Sequence, residues 1–333
     1  MVTLPVLDMA GFLEDPMSAA GGRFVHELLA AAHGPGFVYL TGHGVDPGLD
    51  AGIFEQARAF FALPAAEREA LAIEHSAAFR GYTVLGDERT NGASDWRHQL
   101  DLGPEQKAPD PADGGPAWLR LRGPNQWPPS LPAMPDAVLD WMDAMLDVGL
   151  GALRALALGL GQPISRWDGG FVPESDVHLK IIHYPPRPGA DADQGVGLHR
   201  DTGLLTFIAQ DDTGGLQVKL DDELVDAPHV EGAYLMNLGE MLETATDGYL
   251  RATPHRVVSP QDGSGRISIA YFFNPRFESP FLPIDLPEEL AAAAPGVDRD
   301  ADAPVYEVFG ENNLKTRLRS HPDVARRHYA DII

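Results

Sequence analysis

The sequence predicts an α+β protein with a mainly β core, and three observations support this prediction. Apolar residues recur at helical spacing along much of the chain up to about residue 160. After Val177 the pattern changes to short apolar runs, which clusters of Gly, Pro and Asp separate. Several short strands at regular spacing favour a barrel or sandwich over a parallel sheet that alternates with helices. With 333 residues, the chain can bury one large core or two modest ones.

Two amphipathic helices and one strand are predicted near the N-terminus. Apolar residues recur at helical spacing over residues 24–32, and Gly34-Pro35-Gly36 ends that helix. Residues 37–40 form a short apolar run that predicts a buried strand. A second helix is expected from Pro47 to about Pro64, because a proline fits the first turn of a helix but not its interior.

The middle of the chain contains a long loop and a long helix. Residues 103–135 are rich in Pro and Gly and predict a surface loop, which is a candidate cover for a pocket. A helix is expected from about Asp136 to Leu160. Its most apolar part contains Asp147 and Arg154, so it predicts a core helix and not a membrane span.

The back of the chain contains six predicted strands. Each is a short run rich in apolar or β-branched residues with turn-forming residues on both sides. The predicted strands are Val177–Tyr184, Leu204–Gln210, Leu216–Leu220, Ala233–Asn237, His255–Ser259 and Arg266–Asn274.

Composition excludes several classes of function. The chain has no cysteine, which excludes disulfides, thiolate metal sites and cysteine nucleophiles. A formal net charge of −24 argues against a nucleic-acid partner, because phosphates require a basic surface. No basic segment followed by an apolar one opens the sequence, so no secretory signal is predicted. The expected protein is a cytoplasmic enzyme with a small-molecule substrate and no membrane partner, of unknown oligomeric state.

The most informative motif is His199-Arg200-Asp201, which lies just before a predicted strand. Alternate residues of an extended segment point to the same face, so both side chains can reach one metal ion. His321-Pro322-Asp323 has the same pattern, but it opens a charged stretch with helical character. There we predict a helix start with Asp323 in the first turn.

Three further residues complete a candidate site. His255 lies at the start of a later predicted strand, and Arg266 and Ser268 lie two residues apart on the next one. Two imidazoles and one carboxylate are the ligand set of non-haem Fe(II), and they leave three positions open for chemistry. A nearby arginine supplies a fixed cation at which an anionic co-substrate can dock.

These residues also carry a family resemblance. The segment from Leu179 to Pro275 resembles the isopenicillin N synthase-like branch of the Fe(II)- and 2-oxoglutarate-dependent oxygenases. The matching motifs are Tyr184-Pro185-Pro186, Gly197-Leu198-His199-Arg200-Asp201, Ala209–Val218, Thr253–Val257 and Arg266–Pro275. The front half is similar to the N-terminal region of the family in Gly36–Gly44 and in Arg80-Gly81-Tyr82. The resemblance therefore covers most of the chain.

The resemblance implies a fold and a domain organisation. The fold is a double-stranded β-helix, or jelly roll, with flanking N-terminal and C-terminal helices. Residues 1–333 are expected to form a single catalytic unit. Within it, 1–125 is a helical N-terminal region, 175–278 is the jelly-roll core that binds iron and 2-oxoglutarate, and 279–333 is a C-terminal extension.

The resemblance also implies cofactors and residue roles. His199, Asp201 and His255 would hold Fe(II), and 2-oxoglutarate and O2 would be co-substrates. Arg266 and Ser268 would bind the far carboxylate of 2-oxoglutarate, with Tyr184 as a further contact. No catalytic residue is expected beyond the metal ligands. The candidate substrate contacts are Phe272, at a family position that often lines the pocket, and Phe79, Arg80, Tyr82 and Trp96.

Three functions stay open on the sequence alone. The first is a 2-oxoglutarate-dependent dioxygenase that hydroxylates, desaturates or cyclises a small metabolite or an amino-acid-derived natural product. The second is an iron oxidase of the isopenicillin N synthase or ethylene-forming type, which does not use 2-oxoglutarate. The third is a non-enzymatic jelly-roll module that binds a metal or a metabolite. Dependence on 2-oxoglutarate separates the first from the second, and succinate release separates the first from the third.

Overall fold

The computed structural model describes residues 3–90, 92–110, 114–187, 189, 194–263, 265–297 and 305–333. The helices are α1 (Ala10–Glu14), α2 (Ala19–His33), α3 (Pro47–Ala62), α4 (Ala65–Glu69), α5 (Met134–Gly159), α6 (Glu240–Ala245), α7 (Glu288–Ala293), α8 (Phe309–Ser320) and α9 (Pro322–His328). The strands are β1 (Val6–Asp8), β2 (Phe37–Thr41), β3 (Gly81–Thr83), β4 (Arg89–Thr90), β5 (Ala93–Ser94), β6 (His98–Leu102), β7 (His178–Tyr184), β8 (Val196–His199), β9 (Leu205–Gln210), β10 (Leu216–Leu220), β11 (Glu223–Asp226), β12 (Tyr234–Leu238), β13 (His255–Val257) and β14 (Arg266–Phe273).

Two sheets form the core of the fold. The large sheet has eight strands in the order β1-β2-β12-β9-β14-β7-β6-β3, and the small sheet has four in the order β11-β10-β13-β8. Strands that are distant in sequence lie side by side in both sheets, as in a jelly roll. The pair β1–β2 is parallel, and the other pairs of named strands in the described residues are antiparallel. The predicted jelly-roll fold with flanking helices is confirmed.

The alternation of side chains along each strand separates two cores. On β14, Ile269 and Tyr271 belong to the core between the large sheet and the helices. Ala270 belongs to a second core, where it joins Val218 and Val257 of the small sheet. Because successive side chains of a strand point to opposite faces, Arg266, Ser268 and Phe272 share the face of Ala270. The polar residues of the predicted site therefore face the space between the sheets.

Helices cover the outer face of the large sheet. Ser18 caps α2, its hydroxyl accepting a hydrogen bond from the Gly21 amide at 3.0 Å, and Asp46 caps α3 in a similar way. The long helix α5 packs against both α2 and α3. Its Gly149 lies directly on the Phe273 ring, because a Cβ at that position would be only 2.5 Å from a ring carbon. The close approach of α5 to β14 therefore requires glycine there.

Most predicted elements agree with the structure to within two residues. The helices predicted at 24–32, 47–64 and 136–160 correspond to α2, α3 and α5, although α2 begins earlier than predicted, at Ala19. The six predicted strands correspond to β7, β9, β10, β12, β13 and β14. The helix start predicted at His321-Pro322-Asp323 is also confirmed, because α9 begins at Pro322 and has Asp323 in its first turn.

The N-terminal region is less purely helical than the sequence predicts. It contributes β1, β2, β3 and β6 to the large sheet, and β6 pairs with β7 directly beside the site. The strand β6 was not predicted, because its sequence His-Gln-Leu-Asp-Leu has polar side chains that face the space between the sheets. The predicted loop 103–135 contains a 3-10 turn at Ala117–Leu121, and its residues 111–113 lie outside the described residues. Among the described residues, no helix is both long and apolar enough to cross a membrane.

Candidate metal centre and co-substrate pocket

Three side chains meet at one end of the small sheet. His199 is the last residue of β8, Asp201 lies in the turn after it, and His255 begins β13. His199 and His255 are paired residues on adjacent antiparallel strands, which places their ring centres 4.3 Å apart. One ligand atom from each of the three residues lies within 4.8 Å of the other two. The structure therefore brings together the three predicted metal ligands.

The orientation of these groups fits a metal ion. The carboxylate atom Asp201 Oδ1 lies 3.7 Å from His199 Nε2 and 3.9 Å from His255 Nε2. The other ring nitrogens point away, since His199 Nδ1 meets the Gly197 carbonyl at 2.9 Å and His255 Nδ1 meets the Thr253 carbonyl at 3.2 Å. A carbonyl can only accept a hydrogen bond, so each Nδ1 carries the proton and each Nε2 offers a lone pair.

Two polar side chains hold the second oxygen of Asp201. The Thr206 hydroxyl donates to Asp201 Oδ2 at 2.5 Å, and the Asn237 amide donates to the same oxygen at 2.8 Å. Behind Asp201 the chain passes close to α6, where a Cβ on Gly239 would lie 2.2 Å from the Gly203 carbonyl oxygen. These contacts fix the carboxylate so that Oδ1 alone faces the imidazoles.

Protonation states favour metal binding at neutral pH. Burial and the neighbouring His255 imidazole lower the pKa of His199 to about 4, so this ring is neutral at pH 7. Burial alone would raise the pKa of Asp201, but the two imidazoles and the hydrogen bonds from Asn237 and Thr206 lower it overall. A neutral imidazole and an ionised carboxylate are the forms that bind a divalent metal.

The hydrogen bond from Asn237 gives a direct test of this arrangement. We expect Asn237→Ala to weaken Fe(II) affinity by about 10- to 100-fold, the usual effect of losing a contact that orients a metal ligand. Fe(II) binding can be titrated under anaerobic conditions. The matched control is Gln217→Ala, because Gln217 lies on β10 and bonds Arg256 and Asp226, away from the three ligands. Equal Fe(II) affinity in both variants would show that Asn237 does not position Asp201.

A buried cation lies on β14, in the large sheet. Arg266 is 1% exposed, and its guanidinium donates to the Ser268 hydroxyl and to the Gln210 side-chain oxygen, both at 2.9 Å. The Tyr184 ring, directly across the β7–β14 pair, lies 5.1 Å from the guanidinium carbon. Among the described residues, no acidic side chain forms an ion pair with Arg266, and its Nε has no hydrogen-bond partner.

This unpaired charge indicates an anion-binding pocket. Burial lowers the pKa of Arg266, although an arginine remains a cation at neutral pH. A buried charge without a counterion is costly, and an anionic ligand removes that cost. Because the guanidinium is planar and forked, it suits the bidentate recognition of a carboxylate. The residues present fit the far carboxylate of 2-oxoglutarate.

A cavity of about 610 Å3 opens beside the metal centre. His199 and Asp201 line it, together with Phe272 of β14 and several residues of α8. The sequence did not predict that α8 would reach this cavity, because α8 is a largely polar helix near the C-terminus with few apolar positions. The cavity therefore gives access to His199 and Asp201, two of the three candidate metal ligands.

The five candidate substrate contacts occupy different surroundings. Phe272 lines the cavity. Arg80 is buried behind the cavity wall, in contact with His178, which lines the cavity. It donates to the Leu102 carbonyl and lies next to His178 Nδ1, each at 2.9 Å. Tyr82 lies in the core with its hydroxyl on His98, and Phe79 packs against Tyr329. Trp96 lies under the Arg187 guanidinium. Phe272 is therefore the one candidate contact among the described residues that line the cavity, and the other four do not line it.

The fold and the site together define a class of protein. A jelly roll with two histidines and one carboxylate on one side of a metal position is the framework of a non-haem iron oxygenase. Two family models match the chain. Residues 4–130 match the N-terminal region of a non-haem dioxygenase in morphine synthesis, and residues 175–275 match the 2OG-Fe(II) oxygenase superfamily.

Curated relatives and solved structures agree with these matches. The chain is 31% identical to the 2-oxoglutarate-dependent dioxygenase frbJ of Dothideomycetidae sp., over 99% of this chain and 94% of that protein. It is also 31% identical to a homoarginine-6-hydroxylase of Arabidopsis thaliana, over 86% of this chain and 81% of the relative. A putative 2OG-Fe(II) oxygenase family protein from Caulobacter crescentus superposes with a TM-score of 0.77 at 26% identity, covering 96% of this chain and 99% of that protein. A full-length protein of Neurospora crassa, solved in complex with alpha-KG, superposes with a TM-score of 0.74 at 26% identity, covering 95% of this chain and 96% of that protein.

This chain belongs to the isopenicillin N synthase-like family of Fe(II)- and 2-oxoglutarate-dependent oxygenases. It is a non-haem iron dioxygenase, and the family uses Fe(II), 2-oxoglutarate and O2. The comparisons support neither the iron oxidase that works without 2-oxoglutarate nor the non-enzymatic module.

Proposed function

We propose that His199, Asp201 and His255 bind Fe(II), and that Arg266, Ser268 and Tyr184 bind 2-oxoglutarate, in an enzyme that hydroxylates a small molecule. The observation that carries this proposal is the buried, unpaired guanidinium of Arg266 on the same sheet interior that the metal ligands face. An anion that spans the distance to the metal would satisfy this cation. The names of the relatives support a small-molecule substrate, because one of them is a homoarginine-6-hydroxylase.

Each residue has a physical role in this proposal. When bound, Fe(II) and 2-oxoglutarate supply O2 activation coupled to oxidative decarboxylation, which yields succinate and CO2. Arg266 and Ser268 fix the far carboxylate of 2-oxoglutarate, and the Tyr184 ring packs against the guanidinium and keeps it in place. Asn237 and Thr206 orient Asp201, so that the ligand geometry is set before the metal arrives.

The surrounding protein orients the substrate and excludes water. Phe272 supplies an apolar wall of the cavity beside His199 and Asp201. Of the candidate substrate contacts, Phe272 is the one we propose to touch substrate. The cytoplasmic location and the absence of nucleic-acid and membrane partners stay predictions from the sequence.

The proposed reaction is tested by following 2-oxoglutarate itself. Protein loaded with Fe(II) should convert 2-oxoglutarate to succinate in air, slowly without substrate and faster with one, and proton NMR detects both acids. The oxidase alternative predicts O2 consumption with ascorbate in the absence of 2-oxoglutarate and no succinate. If 2-oxoglutarate stays intact in the presence of Fe(II), O2 and a broad set of small metabolites, the proposed function is wrong.

A further inference from the structure

The cavity beside the metal centre is cationic, although the whole protein has a net charge of −24. Two acidic side chains line it, Glu88 and the proposed metal ligand Asp201. Six cationic side chains line the same cavity: Arg89, Arg97, Lys180, Arg200, Arg317 and Arg319. In a protein with about twice as many acidic as basic residues, such a local excess of positive charge needs a ligand-based explanation.

The buried part of this charge is already balanced within the protein. Glu88 accepts from Lys180 at 2.8 Å and lies 3.1 Å from Arg97. Asp101, behind the cavity wall, lies 3.2 Å from Arg317. Burial alone would raise the pKa of Asp101, but Lys180, His178 and Arg317 keep it well below its usual range. Arg97 and Lys180 likewise lower the pKa of the buried Glu88, so both carboxylates are ionised. The floor of the cavity is therefore a fixed and nearly neutral network.

The excess charge lies at the rim. Arg89, Arg200 and Arg319 are exposed, and they surround the opening from the β4–β5 hairpin, from the turn between the metal ligands, and from α8. Arg200 is 4.0 Å from Glu243. The side chains of Arg89 and Arg319 form no hydrogen bond and no ion pair with other residues in the described part of the chain. Two unpaired guanidiniums thus flank the route to the metal.

The helix α8 adds a second, independent observation. A helix on the surface of a globular protein normally turns its apolar face inward. On α8, Leu314 is buried in the core, but the side that faces the cavity has Asn313, Thr316 and Ser320 in addition to its arginines. The hydroxyls of Thr316 and Ser320 donate to carbonyls of their own helix, at 3.2 and 2.9 Å. The Asn313 amide is therefore the neutral donor that we expect to recognise an oxyanion beside the arginines.

The co-substrate does not account for these rim charges. The proposed function places one carboxylate of 2-oxoglutarate on Arg266 and the other at the iron. Together with Asp201, these two carboxylates cancel the charges of Fe(II) and Arg266. Of the rim cations, Arg200 has Glu243 beside it, whereas Arg89 and Arg319 have no ion-pair partner in the described part of the chain when the metal centre is complete. An anionic group on the second substrate would supply that partner.

We infer that the substrate of this enzyme is an organic acid, whose oxyanion is held at the rim by Arg319 and Arg89 and whose carbon skeleton reaches past Phe272 to the metal centre. This inference rests on the proposed function. It excludes a substrate whose only charge is positive, because the unpaired Arg89 and Arg319 at the rim would repel it. A carboxylate and a phosphate ester share the required chemistry, and the experiment distinguishes them.

The test compares ligands of one carbon skeleton that differ in charge. The probes are hexanoate, hexyl phosphate, hexanamide and hexylamine, with a second set built on 3-phenylpropanoate. Each is titrated anaerobically into the complex of protein, Fe(II) and 2-oxoglutarate, and the visible absorption band of the chelated 2-oxoglutarate reports occupancy of the neighbouring space. We expect an acid to bind at least about tenfold more tightly than its amide, and the amine not to bind.

Matched variants locate the anion site. Arg319→Gln should weaken binding of the acids by about two- to fivefold, the size of a partly solvated charge pair, and leave the amides unchanged. Arg326→Gln is the control, because Arg326 lies on α9, pairs with Asp323 and does not line the cavity. A preference for hexyl phosphate over hexanoate would assign the site to phosphate esters, which keeps the oxyanion and corrects only its kind.

Different experimental results would contradict the inferred anionic substrate and the proposed function. If the band forms normally but amides or amines bind as tightly as acids, or if no acid binds in either set, the cationic rim does not select the substrate. The same conclusion follows if Arg319→Gln and Arg326→Gln behave alike. If wild-type protein gives no band with Fe(II) and 2-oxoglutarate, the proposed function fails and the inference fails with it.

Discussion

Alanine at His199, Asp201 or His255 is expected to abolish turnover of 2-oxoglutarate and to weaken Fe(II) binding sharply while the chain stays folded. Each change removes one of the three groups whose ligand atoms lie within 4.8 Å of one another. The loss should exceed the about 10- to 100-fold effect expected for a supporting contact such as Asn237. Metal affinity is measured by anaerobic titration, and turnover by succinate formation.

The fold should survive these changes for a structural reason. The site lies at strand ends and in a turn, and His199 is partly exposed, so no cavity opens in either apolar core. Asp201→Ala leaves the Thr206 and Asn237 donors without an acceptor, at a cost of about 1–3 kcal/mol per unsatisfied group. Circular dichroism and thermal unfolding should therefore show a folded protein, with the lowest stability in the Asp201 variant.

The second His-x-Asp sequence supplies the control. Asp323 lies in the first turn of α9 and pairs with Arg326, with its side chain 67% exposed. Asp323→Ala should leave Fe(II) affinity and turnover unchanged. A metal-binding defect in that variant, or turnover like that of the wild type in any of the three ligand variants, would contradict the assignment of the metal centre.

Arg266→Gln is expected to raise the dissociation constant of 2-oxoglutarate by about ten- to a hundredfold. A charge-assisted hydrogen bond to a buried guanidinium contributes roughly 1.5–3 kcal/mol, and each 1.4 kcal/mol changes an affinity about tenfold. The variant should still bind Fe(II), because Arg266 bonds Ser268 and Gln210 and none of the three metal ligands. Titration of 2-oxoglutarate into Fe(II)-loaded protein measures the change.

A second arginine provides the matched control for this variant. Arg256 lies on β13 next to His255, but its guanidinium bonds the Gln217 side chain on the outer part of the small sheet. Arg256→Gln should bind 2-oxoglutarate as the wild type does. Equal affinities in the Arg266→Gln and wild-type proteins would mean that the co-substrate carboxylate lies elsewhere.

The fold was predictable to the extent that local patterns determine it. Strands such as β9 and β14 have long apolar runs between turn residues, and α5 has an apolar stripe over its whole length, so the sequence predicts all three. Strand β6 has alternating polar residues that bind each other in the interior, as where Gln99 donates to Asp101 at 2.7 Å. Its pairing with β7 on one side and β3 on the other explains why such a segment is buried as a strand.

The proposed metal ligands and Arg266 were predictable because their residue types and spacing can be recognised in the sequence itself. Their supports were not. Thr206, Asn237 and Gln210 look like isolated polar residues in apolar strands, and only the antiparallel register brings the first two onto Asp201 and the third onto Arg266. A signal was present, since a polar residue at an interior position of a buried strand needs a partner.

The position of Asp201 shows a similar limit. The sequence pattern predicted that His199 and Asp201 lie on one face of an extended segment. In the structure, β8 ends at His199 and Asp201 lies in the turn that follows. The two side chains converge because hydrogen bonds from Thr206, Asn237 and the Glu240 backbone amide fix the turn. The structure brings the two side chains together as expected, and the turn, not a continuous strand, joins them.

An anaerobic titration of 2-oxoglutarate into protein loaded with Fe(II) shows whether the metal centre and Arg266 bind one co-substrate molecule between them. If the three ligands and Arg266 act together, the wild type develops the weak visible band of iron-bound 2-oxoglutarate. The band should saturate at one molecule of 2-oxoglutarate per protein chain. Under the same conditions, the Arg266→Gln band appears only at about ten- to a hundredfold higher 2-oxoglutarate, and the His255→Ala protein shows no band. A wild-type protein that binds Fe(II) and shows no band at any concentration of 2-oxoglutarate would contradict the proposed co-substrate site.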